Sequence, residues 1–238
     1  MTWLLIIFPA MLGGFVQGLT GFGAVIIMMI FFPSILPIDQ AAGIGGVSML
    51  ASMIGLTIRY RHYFNFKRII VPFIVYASVA TWSVHLSHVL DTHILRMMLG
   101  GLLVALYLYF TLVKSAGSRK YPWYIAGCFM IISGFFNGLL GIGGPLMALY
   151  FLSLSHSVPE YTASIQSFFM IDVFYINTVR VFNGILVPHD ISYIIVGMIS
   201  AGIGTIIAAR LATKLDDTTF RKWVYRFIGV SGIYYLFL

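Results

Sequence analysis

Gly134-Phe135-Phe136-Asn137-Gly138-Leu139-Leu140-Gly141-Ile142-Gly143-Gly144-Pro145 breaks the middle of a hydrophobic block that runs over about 121–153. The same pattern stands earlier, as Gly14-Phe15-Val16-Gln17-Gly18-Leu19-Thr20-Gly21-Phe22-Gly23, in a block over about 3–33. An amide residue precedes the second glycine in both copies. Each block is longer than the roughly 20 residues one straight span needs, and each is broken at the glycines. Outward from the breaks, six further hydrophobic blocks cover about 39–59, 68–88, 94–113, 160–181, 190–209 and 222–238. The halves align along their length: Pro37 and Ala41 with Pro159 and Ala163, Arg59 with Arg180, and Leu90-Asp91 and Arg96 with Leu215-Asp216 and Arg221. Short polar connectors leave no room for a soluble domain. The expectation is one membrane domain over 1–238, with repeat 1 at about 1–113 and repeat 2 at about 121–238. Internal repeats of this kind mark transporter folds.

Composition sets the class. Of 238 residues, 60% are hydrophobic and 9% charged, with a mean hydropathy of +0.98. A soluble domain carries roughly 25% charged residues, so this chain belongs in a lipid bilayer. The net charge of +7 comes from basic residues in short loops, which encode topology; no nucleic-acid partner is expected. Cys128 stands alone, which excludes an intramolecular disulfide and a multi-cysteine metal site. Met1-Thr2-Trp3 lacks a basic n-region, so the first segment does not read as a cleaved signal peptide.

The loop charges choose between two topologies. If the broken blocks cross the membrane, the halves share an orientation, and loop 59–68 lies on the same side as 180–190. If they are re-entrant, each half has three crossings and the second half is inverted. In that arrangement Arg59, Arg61, Lys67, Arg68, Lys114, Arg119, Lys120, Arg210, Lys214, Arg221 and Lys222 collect on one side. Arg96 and Arg180 remain on the other, with Arg226 one turn into the last helix. Lys and Arg accumulate on the cytoplasmic side. The expected fold is therefore an all-α polytopic membrane protein of two inverted repeats, each a re-entrant or broken helical hairpin plus three transmembrane helices. Both termini are expected outside the cytoplasmic membrane.

Irregular backbone survives at membrane depth only where protein or a water-filled cavity covers it, so the breaks belong in the interior. Pro145 suits the first turn of a helix, which predicts a half-helix from Gly144 or Pro145 through Leu149. By the repeat, a second starts near Gly23 or Ala24. Helix starts present unpaired N–H groups and roughly half a positive charge, which suits an anion. The candidate substrate-binding residues are Gln17, Thr20, Gly21, Gly23, Asn137, Gly141, Gly143 and Gly144. The competing reading is close helix packing of the G-x-x-x-G type. A nucleotide loop fails, because no Lys-Ser/Thr follows the glycines.

Asp172 is a carboxylate inside an apolar span, which makes it functional by default. It is the candidate for proton coupling, against a structural hydrogen bond to a neighbouring helix. Arg59 and Arg180 sit at equivalent span ends, as interfacial anchors or as guides for anions. His85, His88 and His93 lack carboxylate or cysteine partners, so no metal and no cofactor are expected. No nucleophile–base set points to an enzyme.

These residues resemble the sulfite exporter TauE/SafE family. The resemblance rests on the paired G-F-x-[QN]-G-x-x-G-x-G breaks, Pro37-Ile38-Asp39-Gln40-Ala41, Pro159-Glu160-Tyr161-Thr162-Ala163, Asn183-Gly184-Ile185, and the closing Ala209-Arg210-Leu211, Leu215 and Phe220-Arg221. It covers nearly the whole chain. It implies an inner-membrane carrier for sulfur-containing anions such as sulfite and organosulfonates. The first break departs at Phe22 and Ala24, where many members carry glycines. The stretch Ala77 to Ser83 lacks glycines that Gly197, Gly202 and Gly204 supply in the second half. The resulting expectation is a secondary transporter of a small anion working by alternating access, with a homodimer allowed. The alternatives are a passive channel for small anions or neutral solutes, and a non-transporting membrane subunit of a complex.

Overall fold

Two long apolar helices, α1 (Thr2–Thr20) and α7 (Trp123–Leu140), stop for the same reason. At Gly21 and Gly141 the backbone turns left-handed, with φ of 83° and 69°, a conformation glycine adopts without a Cβ clash. Each of these glycines donates its N–H to the carbonyl four residues back, Gln17 and Asn137, at 2.8 Å. That is a left-handed helix cap, to which the second break adds a bond from the Ile142 N–H to the Phe136 carbonyl at 3.3 Å. The amide-to-glycine spacing in the sequence is therefore the spacing of a helix stop.

After each stop a short helix begins, α2 (Ala24–Phe31) and α8 (Gly144–Leu154), the latter with Pro145 in its first turn. Both starts fall where the sequence put them. The arms are unequal, 19 and 8 residues in the first hairpin, 18 and 11 in the second. The first doubles back on itself: Gly13 lies against Ala24, and the Phe8 and Phe31 rings meet edge to face at 6.1 Å.

The computed structural model describes residues 2–112, 120–211 and 217–237. Lys114, Arg119, Lys214, Leu215 and Asp216 lie outside the described residues, as do the side chains of His88, Arg221 and Lys222. The remaining helices are α3 (Ile38–Ser48), α4 (Leu50–Arg59), α5 (Phe66–Val89), α6 (Thr92–Leu112), α9 (Val158–Phe182), α10 (Ile191–Leu211) and α11 (Asp217–Leu236), and no strand occurs among the described residues. Six stretches are long and apolar enough to cross a membrane: Trp3–Thr20, Ile38–Arg59, Phe66–Ser87, Thr92–Leu112, Trp123–Leu140 and Pro188–Leu211. The second of the expected blocks in the second half, α9, has the length, 25 residues, but carries Glu160, Asp172 and Arg180.

Packing crosses between the halves. Along α1 and α10, Trp3 meets Tyr193, Gly14 meets Ala201 and Gly18 meets Ala208, so the two helices run the same way. Along α7 and α5, Gly134 meets Tyr76 and Gly138 meets Ala80, again in parallel. A Cβ at Gly14 or Gly134 would fall within 2.1 or 2.4 Å of a facing carbonyl oxygen. The first two glycines of each motif are thus close-packing residues, and only the later ones make the break. Helix α11 lies antiparallel to α6, with Gly232 on Gly100, Gly229 on Tyr107, and the Tyr225 ring stacked on Phe110.

The core lies between the halves, where Ala24, Met28, Ala41, Ile44, Phe151 and Phe168 are buried. Large apolar side chains such as Trp82 and Trp123 face outward, as a lipid-facing surface requires. At the ends, Arg68 pairs with Glu160, and Gln40 donates to Asp190 at 2.7 Å.

Candidate functional site

The two breaks meet. A Cβ on Gly144 would lie 3.4 Å from Cβ of Phe22 and 3.9 Å from the N of Gly23. Between them is a cavity of about 50 Å³ lined by Gln17, Gly23, Asn137, Gly141, Gly143 and Gly144, with Asp172 and Arg180 across from them. A water needs about 10–15 Å³ on the same measure, so the space suits a few waters or one small ion.

Helix α9 organises the polar groups, since it passes both breaks. Gln166 near its start accepts from Gln17 Nε2 at 3.2 Å and donates to the Gly21 carbonyl at 2.7 Å. Two turns on, the Asp172 carboxylate accepts from Asn137 Nδ2 at 3.2 and 3.0 Å, and from the Tyr76 hydroxyl at 3.5 Å. Two turns further, Arg180 donates through one terminal nitrogen to the carbonyls of Asn137 and Gly138, at 2.8 and 3.1 Å. Those carbonyls belong to the last turn of α7, and that of Asn137 also accepts the Gly141 N–H. Its other terminal nitrogen lies 3.4 Å from Asn177 Oδ1. Arg180 is only 1% exposed and Asp172 2%. Arg180 Nε is buried without a hydrogen-bond partner beside the cavity.

Arg59 and Arg180 both stand in the last turn of their helices, at the expected span ends, but their surroundings differ and only Arg59 is placed as an interfacial anchor. Arg59 is exposed at the end of α4, its guanidinium 5.6 Å from the Tyr60 ring. Arg180 is drawn inward by the carbonyls of α7, and the chain beyond it folds back over it, with Ile185 N–H donating to its carbonyl. Two other candidates stand apart from the cavity. The Thr20 hydroxyl is engaged by its own backbone, at Val16 and Phe22, and Thr20 and Gly21 line a second, larger space on the far side of the break. Tyr76 and Gln166 were not among the sequence candidates; a tyrosine and a glutamine inside apolar spans were the available signal.

The electrostatic balance favours an anion. The free N–H groups at the starts of α2 and α8 contribute roughly half a positive charge each, Arg180 a full one, and Asp172 opposes them. Glycines at the tips let a ligand reach the backbone directly.

A model of the family described as "Sulfite exporter TauE/SafE" matches residues 6–235. The chain belongs to that family. TauE/SafE membership and six apolar helices together make it a membrane transport protein. No curated protein and no solved structure matches it.

Proposed function

We propose that this TauE/SafE protein is a secondary transporter of a small sulfur oxyanion, sulfite or an organosulfonate, and that it binds its substrate where the two breaks meet. The observation that carries this reading is Arg180: a buried guanidinium with one N–H unpartnered, set beside two helix starts in one cavity. An oxyanion there would accept from Arg180 Nε and from the N–H groups of Ala24, Val25, Gly144 or Leu146. Asn137 and Gln17 act by holding Asp172 and Gln166 in place.

The halves are inverted repeats in this reading. Matched helices run in opposite senses: α6 against α11, and the α3–α4 stretch against α9, where Gly46 of α3 meets Asn177 and Leu56 and Tyr60 share a cavity wall with Tyr161 and Thr162. The Arg68–Glu160 pair supports the same topology, since it places loop 59–68 beside the start of α9. A parallel arrangement would put that loop beside 180–190. Alternating access about the fixed tips follows, with both termini outside the cytoplasmic membrane. Asp172 is the coupling group: a proton on it removes the one negative charge facing the anion, so proton and anion entry are linked.

Proteoliposome flux tests the reading. Sulfite, thiosulfate, an alkanesulfonate and chloride are compared, with and without a pH gradient. Saturable uptake of a sulfur oxyanion, driven by the gradient, is expected. Flux linear in concentration and indifferent to the gradient would identify a channel instead, and no flux of any anion would remove the transport assignment.

A further inference from the structure

The central cavity has a neighbour. On the far side of the first break lies a space of about 440 Å³, bounded by Thr20, Tyr60, Pro145, Tyr161, Thr162 and Tyr225, among others. Gln17 and Phe22 line both spaces. The Gln17 amide is tied to Gln166, which leaves the Phe22 ring as the partition that can move. Phe22 sits between Gly21 and Gly23, both left-handed, at φ 83° and 95°. Its ring rests 5.8 Å from Phe110, itself stacked on Tyr225 at 4.7 Å.

The second break borders a smaller, almost wholly apolar space of about 310 Å³, and Ile142 lines both it and the central cavity. Ile142 holds the corresponding place and is buried, as are Leu139 and Leu140 beside it. Arg180 bonds the end of α7 on that side, whereas Arg59 leaves the end of α1 untouched. The second break is therefore tied by a charged side chain, while the first opens on a more polar vestibule that ends at a single aromatic ring.

We propose that this vestibule is the substrate's route to the central site from the face that carries Arg61 and Arg68, and that Phe22 is the gating and size-selecting residue between them. The proposal rests on the central cavity being the anion site. Rotation of the ring toward Phe110 joins the two spaces, while the flanking glycines let the break flex without disturbing α1 or α2. A bulkier organic tail on the anion would stay in the vestibule while its oxyanion head passed the ring.

Cysteine accessibility tests this without needing any anion, so a failure of transport and a failure of the gate are read separately. In a Cys128→Ser background, Leu19→Cys reports the vestibule, Val25→Cys the central cavity and Arg61→Cys the reference face. A membrane-impermeant methanethiosulfonate is applied from each side of the vesicle. Leu19→Cys is expected to label from the same side as Arg61→Cys. Val25→Cys is expected to label at least tenfold faster when Phe22→Ala is added, moderately faster with Phe22→Leu, and more slowly with Phe22→Trp. The Leu and Trp variants keep the test open if Phe22→Ala fails to give a monodisperse protein. Labelling of Leu19→Cys from the opposite side overturns the route. Equal Val25→Cys rates across the Phe22 series overturn the gate.

Discussion

The two breaks share one ten-residue pattern and differ in what surrounds it. Both stop a helix with a left-handed glycine bonded to an amide residue's carbonyl, and both start a short helix three residues later. They differ in what is added around that shared turn. The second is bonded in place: Arg180 binds its carbonyls, Asp172 holds Asn137, and Pro145 fixes the first turn of α8. The first is looser: only neutral donors hold it, Gln166 at the Gly21 carbonyl and Tyr161 at that of Thr20, two left-handed glycines flank Phe22, and Arg59 is exposed at the end of α4. A duplicated element can thus supply a rigid wall on one side of a site and a movable one on the other.

Removing the bond that distinguishes the second break is expected to have the largest effect. Arg180→Gln leaves two α7 carbonyls short of a charged donor, each such bond being worth about 1.5–3 kcal/mol. Anion flux is expected to fall by roughly 10- to 150-fold, the equivalent of one such bond to the ligand, with a lower thermal midpoint in detergent. Arg180→Lys should recover part of the midpoint but little of the flux, because an ammonium lacks the fork that reaches the carbonyls and the ligand together. The equivalent change on the loose side, Arg59→Gln, is expected to move neither. If the two arginine variants behave alike, the asymmetry has no functional meaning.

Next come the turns themselves. Gly141→Ala forces a left-handed alanine, at a cost of about 1–2 kcal/mol, and sets its Cβ 3.0 Å from the Ala42 carbonyl oxygen, which is backbone and cannot yield. Gly21→Ala has the same strain but meets the Tyr161 ring at 3.1 Å, a side chain that can tilt. Chemical denaturation should rank Gly141→Ala as the more damaging. The reverse order would mean that the first break is the better packed one.

A third prediction separates site from coupling. Asp172→Asn keeps the contacts to Asn137 and Tyr76 while removing the charge. Anion uptake should persist but lose its response to a pH gradient, and retention of that response in liposomes would rule Asp172 out as the coupling group.

The smallest effect lies outside the membrane-spanning segments. The His156 backbone N–H, and then Arg68, hold the Glu160 carboxyl below its ordinary value. A carboxylate lowered in the folded state adds stability above its unfolded value, about 4.3, and loses it as pH falls through the folded one. Thermal midpoints should therefore drop below about pH 4, and Glu160→Gln should flatten that limb. An unchanged slope would show that the link between loop 59–68 and α9 carries no stability.

The helical membrane class, the two breaks and the helix starts at Ala24 and Gly144 were legible because each depends on local rules: apolar length, glycine, proline. The burial of Arg180 was not. It depends on which carbonyls α7 offers at its end and how the 183–190 segment folds over the end of α9, and both are tertiary. The same limit separated Thr20 from the central cavity, since a hydroxyl that satisfies its own backbone looks in sequence like one offered to a ligand. Gly14 and Gly18 read as part of the break, yet their role is set by Ala201 and Ala208 in the other half.

That last contact has a consequence for how the protein is made. The glycine face of α1 packs on α10, and the Ile30 carbonyl at the end of α2 is bonded by Tyr235 in the final helix, at 2.9 Å. A ribosome adding 5–20 residues per second delivers α10 roughly 10–40 s after α1. Through that interval the first hairpin sits in lipid with its glycine face bare, held by the insertion machinery or by the bilayer alone. The newborn chain is a half-site waiting for its other half, and truncation before α10 leaves Gly14 and Gly18 without the helix they pack on.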